Sequence, residues 1–443
     1  MHLKRQNYPK TKKIILKSIK NKNVMNVDEL LEHDCFKNLK YRVGTDKNHD
    51  IKVIGIGNGG GNAVNNLYYE NVSGATLVIC DTNDRKLQSS PVATQILLRT
   101  PHFEEVDVPK YNEEEQNLIK QYYKLTNGKP GLGAGNSPII AQLAAESTLS
   151  EIKNLLKDST KMVFLTASMG GGTGSGAAAV IAEACQEFDI LTVGIVTLPF
   201  EWEGKPKMRQ AWEGVEKMVP FVDALLIILN DNLLNENILE KYREQLSTAE
   251  DGTIEPAADE LFKLADNVLA DAVKSVVELV ERTGYIDLDF ADINTALKGG
   301  GGTIMDSGYA TGNRRFYKAM KNALDSPLLH NIDISKATKI ILAVFSSRDA
   351  KFTKKEFDEI KEFSKNFADE YWFKLGMYYD DTLGAKAKVT IIATGSEDEN
   401  IIPPELRIMF SNQKGIDISP LKIFDDQKEL TKYQNNTAYS RIL

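Results

Sequence analysis

Two patterns of apolar and polar positions alternate along the chain. Short continuous apolar runs closed by glycine or turn residues read as buried strands. They are Ile51-Lys52-Val53-Ile54-Gly55-Ile56-Gly57, Ala75 to Cys80, Met162 to Ala167, Ile190 to Thr197, Ala224 to Leu229, Lys339 to Phe345 and Val389 to Thr394. Between them lie segments of helical character: one opening at Asn58–Leu67, one from Pro138 to about Leu156, the small-residue run Ala177 to Cys185, one ending at Met218, and Lys354–Asp369. Strand–helix–strand at this spacing implies parallel pairing with right-handed crossovers. The longest helical pattern covers Leu261 to Glu281, with Leu261, Leu264, Val268, Leu269, Ala272, Val276 and Leu279 on one face and no Gly or Pro before Gly284. It reads as a strut.

The expected fold is therefore α/β: a Rossmann-like nucleotide-binding domain joined by a long central helix to a second, smaller α/β domain. The boundaries are a basic, flexible N-terminal extension at 1–48, the nucleotide domain at 49–260, the central helix at 261–283, the second domain at 284–395 and a polar tail at 396–443. A short helix is expected at Asn26 to Leu39, and the charged, Tyr-containing stretch 103–124 reads as an inserted loop or exposed helix.

At 443 residues the chain is long enough for two cores. Residues 1–48 carry 12 Lys/Arg against 5 Asp/Glu, a net +7, which leaves −15 on the rest of a chain whose formal charge is −8. An acidic body argues against a nucleic-acid platform. No run approaches ~20 consecutive apolar residues, so no transmembrane segment is expected. The basic N-terminus has no apolar core, so no secretory signal is expected either. Cys35, Cys80 and Cys185 are far apart, and the five histidines are scattered, so no protein-held metal site is expected.

The chemistry concentrates in glycine. Ser168-Met169-Gly170-Gly171-Gly172-Thr173-Gly174-Ser175-Gly176 has five glycines in its last seven residues and sits between an apolar strand and an Ala-rich helix. Such a loop lets backbone N–H groups face an anion at a helix N-terminus, and Thr173 and Ser175 add hydroxyls. Further glycine loops are Gly55 to Val64, Gly131 to Pro138 and Leu198 to Lys207. Gly55-x-Gly57-x-x-Gly60 with Asp81 at the next strand end also fits a dinucleotide fingerprint. Several glycine loops after strands are placed more easily around one polyphosphate.

These loops resemble the tubulin/FtsZ family. Gly170-Gly171-Gly172-Thr173-Gly174-Ser175-Gly176 is similar to its signature, Pro199-Phe200-Glu201-Trp202-Glu203-Gly204-Lys205 to a further family loop, and Asp287-Leu288-Asp289-Phe290-Ala291-Asp292 to its synergy loop, in an order that covers roughly residues 50–395. The resemblance implies a GTPase that binds GTP/GDP with Mg²⁺. It implies that Gly59, Gly60, Gly61 and Asn62 meet the nucleotide. Gly133, Ala134 and Gly135 would cover the γ-phosphate, and Gly171, Gly172, Thr173 and Gly174 would hold the α- and β-phosphates. Glu203 and Lys207 would reach the ribose or phosphates, Phe262 would lie against the purine, and Asp266 would accept from guanine N1–H and N2–H. Asp289 and Asp292 would act catalytically in the nucleotide site of the next subunit of a head-to-tail homopolymer, orienting water. The resemblance further implies a cytoplasmic protein at the division site, forming the cytokinetic ring, with membrane adaptors or division proteins bound through the tail.

The pattern leaves two other readings: a regulatory or structural paralogue that assembles with weak hydrolysis, for which Asn58 and Asp287 speak as departures from the family pattern, and an NAD-dependent oxidoreductase, for which only the first glycine loop speaks.

Overall fold

The computed structural model describes residues 49–248, 252–324, 337–366 and 371–395. The extension, the helix expected at 26–39 and the polar tail lie outside them. β1 (Ile51–Ile56) runs directly into α1 (Gly57–Tyr69), followed by β2 (Thr76–Asp81), α2 (Asp84–Ser89) and β3 (Thr94–Leu97). α3 (Glu113–Thr126), α4 (Pro138–Ser147) and α5 (Leu149–Leu156) lead to β4 (Met162–Ser168), α6 (Gly172–Glu187), β5 (Leu191–Leu198), α7 (Lys205–Met218), β6 (Ala224–Leu229) and the short α8 (Glu236–Lys241). Then come α9 (Ala258–Glu281), α10 (Phe290–Leu297), β7 (Gly301–Ala310), α11 (Arg315–Leu324), β8 (Lys339–Ser346), α12 (Lys354–Phe363), β9 (Trp372–Tyr379) and β10 (Ala387–Thr394).

The strands form one ten-stranded sheet in the order β3-β2-β1-β4-β5-β6-β7-β10-β8-β9. The first six are all parallel, in the doubly wound order 3-2-1-4-5-6. β1 and β4 lie side by side with Ile54 opposite Leu165, and this is where the winding reverses. Both faces are covered. α1, α9 and α10 pack Val64, Leu67, Leu269, Val273, Val276 and Ile293 on one side. α5, α6 and α7 pack Ile152, Ile181, Cys185, Trp212 and Val215 on the other. Burial on both faces is why β1, β4 and β5 read as unbroken apolar runs.

β7 joins the halves. Only Ala224–Gly301 and Leu225–Gly302 pair it with β6, after which it runs antiparallel to β10 along its length. α11 and α12 cover the second half with Phe316, Met320, Ile360 and Phe363. The long helix begins at Ala258, three residues before the apolar periodicity. Its 24 residues span ~36 Å at 1.5 Å per residue. The helix expected from 138 to 156 is two helices. At Thr148 the hydroxyl bonds back to the Ala144 carbonyl at 2.8 Å and accepts the Arg99 N–H at 2.9 Å, which ends the first. The stretch 103–124 contributes α3, which starts at an Asn112–Glu115 capping box.

Candidate functional site

Four helices open on one side of the sheet, beyond the C-terminal ends of β1, β4 and β5, and none has a capping side chain or an acidic residue in its first turn: α1, α4, α6 and α7. Four helices away from this cluster, α2, α3, α10 and α12, have capping side chains. Asn83, Asn112, Asp289 and Thr353 each accept a first-turn N–H. Orphan N–H groups at several adjacent N-termini, with the positive dipole ends, define a place for a polyanion.

The close approaches show why glycine is needed here. A Cβ on Gly59 would lie 1.9 Å from Ser168 Oγ, and one on Gly60 would lie 2.1 Å from the Thr166 carbonyl, so α1 sits against the end of β4 with no side chain between. Gly170 holds φ +91 with Pro199 Cγ 2.5 Å from where its Cβ would be. The loops are also tied together. Thr82 and Thr173 hydroxyls meet at 2.8 Å, and Gly133 N–H donates to the Thr82 carbonyl at 3.0 Å. Tyr122 donates to the Gly133 carbonyl at 2.9 Å, and Gln210 to the Gly170 carbonyl at 2.9 Å. Gly172 lies against Ser137, whose Oγ is buried without a hydrogen-bond partner. These contacts bring Gly59, Gly60, Gly61 and Asn62, then Gly133, Ala134 and Gly135, and Gly171, Gly172, Thr173 and Gly174 around one cleft.

Two of the residues expected at the base, Phe262 and Asp266, come from the N-terminal half of α9. Asn62 Nδ2 donates to Asp266 Oδ2 at 2.9 Å. Asp266 is only 8 % exposed, and burial pushes its carboxyl up to about 7, against the lowering effect of the Asn62 hydrogen bond. One turn earlier Phe262 is 40 % exposed and meets Phe200 and Trp202 edge-on at 5.5 and 5.9 Å. Trp202 stacks on Phe200 and is 61 % exposed. Two exposed aromatic rings, set edge to face, one helical turn from a buried carboxylate suit a planar base that presents two N–H donors.

Glu203 and Lys207 lie at the rim, paired with each other one helical turn apart, and Glu203 also accepts the Phe200 N–H at 3.0 Å. Asp289 and Asp292 are not in the cleft. They form the capping box of α10: Asp292 N–H donates to Asp289 Oδ1 at 2.8 Å and Asp289 N–H to Asp292 Oδ2 at 3.2 Å. The preceding helix α9 has Asp266 at the nucleotide end. At its other end Glu281 packs over Gly74, which stands before β2, so the acidic turn belongs to the N-terminal end of the parallel strands, away from the cleft at their C-terminal ends. Asp81 is buried and its Oδ1 accepts the Asn83 N–H at 2.9 Å, so it closes its own turn. Ser137, Ser168, Thr82 and the exposed Trp202 ring were not singled out as site residues by the sequence, and only their positions beside glycine loops point to them.

Among the described residues no cluster of three or more His, Cys, Asp or Glu could cage a metal ion. A divalent ion at this cleft would be held chiefly by the phosphates, with Thr173 and Thr82 hydroxyls nearby. A separate cavity of about 320 Å³ lies between α9, β7 and residues 380–383. It is lined by side chains that pair among themselves, such as Arg282–Asp380 and Lys388–Glu278, and it has no glycine backbone for an anion.

The fold and cleft define a class: a doubly wound nucleotide-binding protein whose polyphosphate seat is built of glycine backbone at the sheet's switch point. Residues 50–238 match the family model for the tubulin/FtsZ GTPase domain, and 301–397 match that for the FtsZ C-terminal domain. The chain is 38 % identical to a cell division protein FtsZ of Porphyromonas gingivalis over 78 % of this chain and 66 % of that one. It is 35 % identical to that of Coxiella burnetii over 79 % of each. An empty FtsZ dimer structure from M. jannaschii aligns with TM-score 0.64 and 30 % identity, over 87 % of this chain and 98 % of that one. The chain belongs to the tubulin/FtsZ family, in its FtsZ branch.

Proposed function

We infer that this protein binds GTP, hydrolyses it to GDP and phosphate, and polymerises head to tail in cell division. The observation that carries this reading is the placement of the two halves of the chemistry at opposite ends of α9. Asn62, Phe262 and Asp266 stand at one end and Asp289 and Asp292 beyond the other. On this reading the cleft takes a guanine and a polyphosphate, and its glycine loops at 59–62, 133–135 and 170–174 carry no carboxylate to orient water at a γ-phosphate. A second copy stacked with its acidic turn against the cleft supplies one. Such a heterologous contact does not close on itself and so makes a filament.

On this reading, uncapped N–H groups of α1 and α6 hold the phosphates and Asp266 selects guanine. Glu203 and Lys207 give up part of their mutual pair to the ribose and phosphates. A Mg²⁺ ion bound with the nucleotide would supply charge neutralisation. Asp289 of the adjoining copy orients the attacking water. The functional units are the cleft within 49–260, the helix within 261–283 that sets the distance, and the acidic turn and second sheet half within 284–395. Placement at the division site, in the cytoplasm, through adaptors bound by 396–443, completes the proposal.

The test is phosphate release and light scattering with GTP as protein concentration is raised, for the natural chain and Asp289→Ala. The natural chain is expected to turn over in proportion to assembled protein. Asp289→Ala is expected to bind GTP and assemble while releasing phosphate at least ~100-fold more slowly, the scale of losing one group that stabilises developing charge. Full turnover by isolated subunits, independent of concentration, would exclude the shared site.

A further inference from the structure

The terminal strand β9 backs the acidic turn. Tyr285 N–H donates to the Met377 carbonyl at 2.7 Å, and Met377 N–H to the Ile286 carbonyl at 2.9 Å. Leu288 N–H donates to the Tyr378 hydroxyl at 3.0 Å, and the Leu288 side chain covers Gly376, where a Cβ would come within 2.8 Å of its Cδ1. The turn thus leaves α9 and is laid along β9 before α10 begins.

Three residues before Met377, Lys374 reaches across to Asp292, its Nζ 2.9 Å from Oδ2. That same oxygen accepts the Asp289 N–H, so it is engaged twice, and the Asp292 side chain is only 15 % exposed. Asp289 is placed differently. Its Oδ1 accepts the Asp292 N–H, and among the described residues nothing bonds its second oxygen. Two carboxylates three residues apart therefore have unequal freedom.

We propose that Lys374 is a positioning residue for the junction. It pins Asp292 to the subunit that carries it and leaves Asp289 as the carboxylate presented to the next subunit's water. This rests on the head-to-tail reading above. The physical reason is twofold. Asp292 forms one side of the capping box, so holding its oxygen fixes the N-terminus of α10 and with it the backbone of Asp289. Bringing two carboxylates up to a triphosphate is also opposed by like charge, and the ammonium of Lys374, itself held in its charged form by the Asp292 hydrogen bond, cancels one of them. The Lys374 side chain is 37 % exposed and belongs to none of the apolar clusters, so its replacement is expected to leave the fold intact.

The experiment compares Lys374→Met, Lys374→Arg, Asp292→Asn and the double substitution Lys374→Met/Asp292→Asn in the full chain, with Asp289→Asn in parallel. GTP affinity of the unassembled protein, assembly threshold and turnover per assembled subunit are measured for each. Lys374→Met is expected to keep GTP affinity and the threshold within about two-fold while turnover falls roughly ten-fold, with Arg restoring most of it. In the Asp292→Asn background, Lys374→Met is expected to change turnover by less than two-fold, because the lysine acts through that carboxylate. Turnover at the natural rate in Lys374→Met, an equal fall in both backgrounds, or loss of assembly itself would overturn the positioning role. If Asp289→Asn assembles and hydrolyses normally, the head-to-tail reading of the acidic turn fails and this proposal with it. If Asp289→Asn is inactive while Lys374→Met is unaffected, only the role of Lys374 fails.

Discussion

Asn62 on α1 and Asp266 on α9, 204 positions apart in sequence, are joined by a 2.9 Å hydrogen bond at the mouth of the cleft. The bond satisfies one oxygen of a carboxylate that burial has pushed up to about 7. A raised folded-state value means that the folded protein holds its proton more tightly than the unfolded chain does. The contribution of Asp266 to the stability of the nucleotide-free protein is then full below about pH 4 and is lost progressively as pH rises to about 7. Asp266→Asn removes that loss. Denaturant unfolding of the nucleotide-free variant at pH 8 should show a gain of about 2–4 kcal/mol, while GTP binding is lost; this is a site kept at the cost of stability. An Asp266→Asn protein no more stable than the natural chain at pH 8 would show the carboxyl to be unstrained.

Binding should reverse the shift. Two N–H donors from guanine favour the ionised carboxylate, so occupancy releases a proton near pH 7. Guanosine, which has no titrating phosphate, should compete for the cleft about ten-fold more weakly at pH 6 than at pH 8. Equal competition at both values would mean that Asp266 is already ionised in the empty cleft.

Gly59 and Ser168 are matched by size. A methyl at 59 would come 1.9 Å from Ser168 Oγ and 2.7 Å from Ser168 Cβ, against an ordinary 3.5 Å from Asp266 Oδ1, so the serine side chain is the obstacle. Gly59→Ala alone should cost about 1–3 kcal/mol by overpacking and weaken GTP binding. Ser168→Gly in the same chain should recover most of both, with a coupling energy above ~1 kcal/mol in a double-mutant cycle read by thermal and nucleotide titration. Additive losses would show that helix and strand can move apart.

The parts of the fold that sequence made legible are those buried on both faces. β1, β4 and β5 are continuous apolar runs, and the glycines after them announce turns against a ligand. β7 was not legible as a strand. Its segment Gly301–Ala310 mixes Gly302, Asp306, Ser307 and Gly308 with apolar residues, because it lies at the seam where two sheet halves meet and α11 presses on its backbone. β9 is half-buried along most of its length, and its aromatic and polar residues follow no clean alternation. At the site, loop membership could be read from glycine. Pairings between distant loops could not. Nothing local to Glu203 and Lys207 shows that they neutralise each other, nothing local to Ser137 that its hydroxyl is left unpartnered, and nothing local to Lys374 that it meets Asp292.

The ~36 Å of α9 also fixes an arithmetic. If every working site needs one subunit's cleft and its neighbour's acidic turn, a row of n subunits has n − 1 of them. A pair then works at half the per-subunit rate of a long row. The subunit whose cleft faces solvent at one tip keeps its triphosphate after the interior has spent its own. The two tips of the row are thereby chemically different, and the row has a direction.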